Sequence, residues 1–245
     1  MKKYLPIILL FAGVIVVVAV FFVLRGRGKK VDVSEKETAL IEVALEDRPI
    51  VSLTPSEDGH YLNLKIEEIN IPSADTMEYE LLYDVPGGVT QGVPGTVEIK
   101  GMSSFNAELL LGSESSGKFR YDEGVEEGTM TLRFRNRDGQ LLIKFVSDFH
   151  MQSGDEELIS IDNKFKYVFD KTPTGHYVTM PTIGFSGKSP GGINEGPYGV
   201  FTSSPEEAAG EVSLGGGSIY MWMDGDWEML EDNKSEEVGV FLSAS

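Results

Sequence analysis

Three histidines, 39 acidic residues and no cysteine are this chain's material for chemistry. His60, His150 and His176 stand far apart, and none has the spacing of a zinc-binding His-Glu-x-x-His helix. A serine triad would need one of them beside a buried acid and a nucleophile, and no local pattern supplies that group. They are expected at strand ends or on the surface. The absence of cysteine removes thiol nucleophiles, thiolate metal sites and disulfides together.

Two near-matches fail on chemistry. Thr182 to Ser189 comes close to a phosphate-binding loop, but that loop needs glycine where Thr182 stands and a helix after its last residue. Here Pro190, Gly191 and Gly192 follow and cannot open that helix. The acidic clusters Asp155-Glu156-Glu157 and Asp224-Gly225-Asp226 offer hard oxygen ligands. Around Asp224, however, Met229 and Ser235 occupy the positions where a helix-loop-helix calcium site needs glycine and acid. No cofactor is expected, and a loop calcium site stays an unassigned alternative. A carboxylate pair for glycoside hydrolysis is also left open, because such pairs are distant in sequence.

Two clusters point to binding. Arg133, Arg135, Arg137 and Lys144 fall on one face of an expected hairpin around Asp138-Gly139, against an otherwise acidic background. Like charges directly opposite each other disfavour pairing, so these bases require anionic company. The company expected is the protein's own acids, such as Glu108, Glu126 or Glu127; the sharper reading is a strip for an anionic partner. The second cluster is Tyr220, Trp222 and Trp227. Counting outward from Asp224-Gly225 sets Trp222 opposite Trp227, Tyr220 opposite Met229, Met221 opposite Glu228 and Met223 opposite Asp226. Such a tryptophan pair is expected to act as a hairpin staple ahead of a ligand platform.

The elements that must position these groups are strands. From Ile50 onward, short alternating runs are separated by Gly, Pro, Asp and Ser clusters. Runs at Ile50–Leu53, His60–Ile66, Met77–Val85, Phe165–Phe169 and Tyr177–Thr182 are examples. In the Asp138-Gly139 hairpin, a two-residue turn sets Arg137 opposite Gln140, Asn136 opposite Leu141, Arg135 opposite Leu142, Phe134 opposite Ile143 and Leu132 opposite Phe145. Alternation over Ala39 to Glu46 leans to a strand, and Ser204 to Gly210 suggests one helical turn. The pattern predicts an all-β fold, an antiparallel β-sandwich or jelly-roll-like domain.

Ahead of it stands a different element. Tyr4–Leu24 is an uncharged run of twenty-one residues flanked by Lys2, Lys3, Arg25, Arg27, Lys29 and Lys30. At about 1.5 Å per residue it matches the thickness of a bilayer's hydrocarbon core. Its bulky exit, Val23-Leu24-Arg25, lacks the small residues of a signal-peptide cleavage site, so an uncleaved single transmembrane helix is expected. The expected division is a basic-flanked anchor over 1–30, a spacer over 31–44, a main sandwich over 45–170, and a β extension or smaller β unit over 171–245.

Without residues 1–30 the chain carries 15 basic against 39 acidic residues, a formal charge of −24. That field repels nucleic acid and anionic headgroups. Basic counts near the anchor favour a cytoplasmic C-terminus. Long domains translocate regardless of such charge, however, and the Met-Lys-Lys start before an apolar run suits a signal-anchor; the domain is expected outside the cytoplasm. The function expected is binding or envelope assembly without catalysis, with the lipid bilayer, another envelope protein or a glycan as partners. The alternatives are a tethered glycan-directed hydrolase and a structural subunit of an envelope complex.

Overall fold

A computed structural model describes residues 42–205 and 208–245. The anchor expected over 1–30, Tyr4–Leu24 included, lies outside the described residues, as does most of the spacer. Among the described residues no helix is long and apolar enough to cross a membrane. Those residues are all-β with antiparallel sheets, and their only helical pieces are 3-10 turns at Leu45–Asp47 and Glu231–Asn233.

Among the described residues there are eighteen strands. The first nine are β1 (Ile50–Pro55), β2 (Tyr61–Glu67), β3 (Thr76–Val85), β4 (Val89–Glu98), β5 (Phe105–Leu110), β6 (Gly112–Ser115), β7 (Lys118–Tyr121), β8 (Glu127–Arg135) and β9 (Leu141–Ser153). Next come β10 (Glu157–Ile159), β11 (Phe165–Phe169), β12 (His176–Pro181), β13 (Ile193–Thr202) and β14 (Gly210–Leu214). The last four are β15 (Ser218–Met223), β16 (Asp226–Met229), β17 (Lys234–Ser235) and β18 (Val240–Ala244). Nine of them form one sheet in the order β16-β15-β18-β13-β12-β9-β8-β3-β4. A three-stranded sheet β1-β2-β5, a four-stranded sheet β10-β11-β14-β17 and the hairpin β6-β7 complete the set.

The nine-stranded sheet is the middle layer of two sandwiches, covered on a different face in each half. On its front face, Met77, Leu81, Leu132, Phe134, Phe149 and Met151 pack against Val51, Leu53, Leu62, Leu64 and Ile66 of the three-stranded sheet. On its back face, Tyr177, Tyr198, Val200, Met221 and Phe241 pack against Phe165, Tyr167, Val212 and Leu214 of the four-stranded sheet. Side chains alternate faces along a strand, so a strand under both covers is buried on both faces. β12 is that strand. Its Val178 and Met180 point into the first core, its Tyr177 into the second, and four consecutive residues are buried.

The two hairpins test the register arguments. Asp224 and Gly225 both have positive φ, +49° and +91°, as a two-residue turn requires. The pairings Trp222 with Trp227, Tyr220 with Met229, Met221 with Glu228 and Met223 with Asp226 are all present. Around Asp138-Gly139 only Gly139 has positive φ, +76°. The turn therefore closes over three residues, with the Asn136 amide donating to the Gln140 carbonyl and the Gly139 amide to the Asn136 carbonyl. Leu132–Phe145, Arg133–Lys144 and Phe134–Ile143 pair as expected, but a bulge then sets Arg135 opposite Leu141 in place of Leu142. The expected Asn136–Leu141 and Arg137–Gln140 pairings are corrected accordingly.

Other expectations are also revised. The described part of the strand read over Ala39 to Glu46 is coil followed by a 3-10 turn. Gly210 is no helix stop: it opens β14, opposite Phe169. β4 runs ten residues through Gly92, Pro94 and Gly95, residue types that strands ordinarily avoid. It lies at the sheet's margin, the place where a sheet tolerates proline, and Pro94 is exposed at its centre opposite Glu80.

Candidate functional site

The basic strip and the tryptophan hairpin lie on opposite faces of the nine-stranded sheet, towards opposite ends. On the back face of β8, Arg133 sits opposite Glu78 and Lys144, and its Nη2 donates to Glu80 Oε2 at 3.0 Å. Arg135 Nε donates to Glu78 Oε1 at 2.8 Å. The anionic company is thus intramolecular, and it comes from β3; Glu108, Glu126 and Glu127 are not the partners. Arg137 and Lys144 are exposed and form no ion pair among the described residues.

Of the tryptophan pair, Trp227 is buried and Trp222 half-buried. The Trp222 and Trp227 rings are 5.4 Å apart, and Trp227 Nε1 donates to the Ser186 carbonyl at 2.9 Å. Phe185 meets Trp227 edge-on, and a Cβ on Gly187 would stand 2.6 Å from Trp222. The loop after Ile183 therefore joins Trp227, Leu242 and Ala244 through Phe185 in a third small core, and Tyr220 and Trp222 pack half-buried against it.

The concave site lies elsewhere, at the end of the domain where the β1–β2 turn, the 122–126 segment, the end of β9, β10 and the start of β12 meet. A cleft of about 630 Å³ opens there, and all three histidines line it. The β9–β12 pairing explains their convergence: His176 stands opposite Ser153, and His150 opposite Thr179. His60 enters from the β1–β2 turn. Nothing local in the sequence announces that pairing, because β10 and β11 intervene.

Each imidazole is held differently. His60 Nδ1 lies 3.1 Å from Asp58 Oδ2, its Nε2 lies 4.0 Å from Glu123 Oε1, and its ring stacks on Tyr121 at 3.9 Å. His150 Nδ1 donates to the Ile159 carbonyl at 2.7 Å. His176 has a buried Nδ1 without a hydrogen-bond partner among the described residues. Its ring packs on Gly59, where a Cβ would come within 2.6 Å of Nε2. Gly59 itself adopts φ +72°, a second reason for glycine there.

One wall of the cleft is the free edge of β10. Gln152 treats that edge as a neighbouring strand would: its Oε1 accepts from the Ile159 amide and its Nε2 donates to the Glu157 carbonyl. With His150 it satisfies an edge that would otherwise present bare backbone groups.

The carboxylates set the electrostatics. Asp58, Asp122, Glu123, Glu126, Asp155 and Glu157 line the cleft, and among the described residues no lysine or arginine does. Asp58 is held below the usual carboxylate range, first by the Ser56 hydroxyl at 2.6 Å and then by the His60 amide at 3.1 Å. Asp122 accepts the Tyr83 hydroxyl at 2.9 Å; burial, then this carboxylate, push the Tyr83 phenol well up. Among the described residues no three His, Asp or Glu side chains converge on a point where a metal ion would sit. No protein-family profile matches the sequence, and neither a curated protein nor a solved structure matches it.

Proposed function

We propose that this chain is a single-pass membrane protein whose extracytoplasmic β domain works by binding, in recognition or in assembly of the cell envelope, without catalysis. Tyr4–Leu24 supplies the contact with the lipid bilayer, and the end cleft supplies the recognition surface. The carrying observation is the way Asp58 and two of the cleft's three imidazoles are committed. His60 is stacked and flanked by carboxylates, His150 is tied to a backbone carbonyl, and Asp58 is kept ionised by two donors. Groups fixed in this manner favour a preorganised receptor over an acid–base pair, whose members must be free to give up and take back a proton.

Protease added to intact cells tests the topology, and a photo-crosslinker placed in turn at Glu123 and at Glu98 tests the cleft. The expected result is loss of the domain without lysis and crosslinking to another envelope protein from position 123 alone. Digestion only after lysis overturns the extracytoplasmic assignment, and equal yields from both positions overturn the cleft. The glycan-directed hydrolase is the second reading, favoured by a cleft with several carboxylates beside the Tyr121 and Phe119 rings. Release of reducing sugar that stops in Glu123→Gln would install it in place of the first.

A further inference from the structure

We propose that Asn233 is an attachment site for an N-linked glycan. The inference rests on the extracytoplasmic reading of the domain, and it adds a covalent modification to that reading.

The sequence narrows the choice to one residue. Of the seven asparagines, Asn233 alone has a hydroxyl side chain two places on, in Asn233-Lys234-Ser235, and the middle residue is not proline. The structure sets the acceptor where it is accessible. Glu231, Asp232, Asn233 and Lys234 are all exposed in the turn between β16 and β17. Asn233 takes φ +58°, a left-handed position that asparagine tolerates. Its carboxamide makes no hydrogen bond among the described residues. Asn136, Asn163 and Asn194, by contrast, each commit Nδ2 to an oxygen of the fold.

The surroundings suit a sugar. Asn233 borders a groove of about 410 Å³ whose walls combine donors from Lys164 and Ser213 with the apolar Leu214 and Ile219. A sugar ring has a hydroxyl rim for the first kind of group and a C–H face for the second. Among the described residues β17 is an outer strand of the four-stranded sheet, and β10, which walls the cleft, is the other. A bulky, solvated glycan on the β17 side shields an open sheet edge and leaves the cleft clear.

The transfer joins Asn233 Nδ2 to the anomeric carbon of an oligosaccharide carried on a polyprenyl diphosphate. The anomeric C–O bond breaks, the lipid diphosphate leaves with the bonding pair, and one amide proton is released. In the folded domain Ser235 Oγ is already engaged, donating to the Glu237 carbonyl at 2.6 Å and accepting from the Glu237 amide at 3.3 Å. The acceptor triplet is therefore open to a transferase before β17 settles. Ser235→Ala would remove this buried hydrogen bond together with the motif, so it does not separate modification from folding. Asn233→Asp does, because aspartate also tolerates positive φ.

The test takes the full chain from the membranes of its own cells and measures intact and peptide masses. The expected result is a carbohydrate increment on the peptide that holds Asn233, lost from both masses in Asn233→Asp. Asn163 is the internal control: it too has positive φ in an exposed turn, +59°, but Phe165 stands two places on. Its peptide should be bare. A bare Asn233 peptide, an increment that survives Asn233→Asp, or equal modification of Asn163 would each overturn the proposal. Bare Asn233 on a domain that protease removes from intact cells would sink this inference and spare the extracytoplasmic reading. Digestion only after lysis would sink both.

Discussion

The two halves of the central sheet bury their side chains on opposite faces and with different materials. The first half is covered by three strands of six or seven residues, whose alternating Val, Leu and Ile side chains make a mainly aliphatic layer. The second half is covered by strands of three, five, five and two residues. Fewer residues must fill that space, and rings fill it. Phe165 meets Tyr198 at 5.4 Å and Phe241 at 5.6 Å, Tyr167 meets Phe169 at 5.0 Å, and Phe169 meets Tyr177 at 5.1 Å. Two tyrosines of this core anchor their hydroxyls: Tyr167 donates to the Ala208 carbonyl and Tyr198 to Asp162, both at 2.5 Å. The lesson is that cover length selects side-chain size, and β12 joins the two solutions.

The comparison breaks first under large truncations. Phe241→Ala should cost about 3–5 kcal/mol and Leu64→Ala about 2–5 kcal/mol. Because β12 belongs to both cores, each should shift one calorimetric transition of the whole domain. Two separate transitions would show that the halves fold independently.

Alkali should separate the halves next. Tyr83, Tyr167 and Tyr198 are all pushed well above the ordinary 10.0, first by burial. A raised folded-state value gives stability that is full below the unfolded value and is lost as pH rises through the folded one. Two of the three tyrosines sit in the aromatic half, so tyrosinate absorbance there should appear together with unfolding, above about pH 10. Tyr198→Phe should lower stability by about 1 kcal/mol at neutral pH and blunt the alkaline loss.

Gly225→Ala and Gly139→Ala each force an alanine into positive φ and should cost about 1–2 kcal/mol in denaturant melts. The smallest effect belongs to the uncovered back face. Arg133→Ala removes a partly exposed pair and should cost under about 1 kcal/mol, fading with salt.

These contrasts also explain what the sequence discloses. Alternation tells which residues of β2 or β8 are buried but not which core receives them, since both covers impose the same period. The Asp224-Gly225 register is legible because both turn residues take the conformation that the dipeptide favours. At Asp138-Gly139 only the glycine does, and one bulge displaces Arg135. β4 is hidden by its glycines and proline. The cleft is hidden more deeply: Asp58 and Glu123 read as ordinary turn residues, Glu126 as company for the basic strip and Asp155 as part of a local acidic cluster, and pairings between non-consecutive strands bring them together. In the charged strip, Glu78 and Glu80 reach Arg135 and Arg133 diagonally from β3, a pairing that only the β3–β8 register discloses.

Pro94 has a consequence for crowding. A ten-residue outermost strand with little charge is a template onto which a second copy can zip, backbone to backbone. Proline has no amide hydrogen to give, so any such zipper meets a missing tooth at its midpoint. Where many copies share a small area, that gap keeps neighbours from fusing into a continuous ribbon and leaves the domains separate.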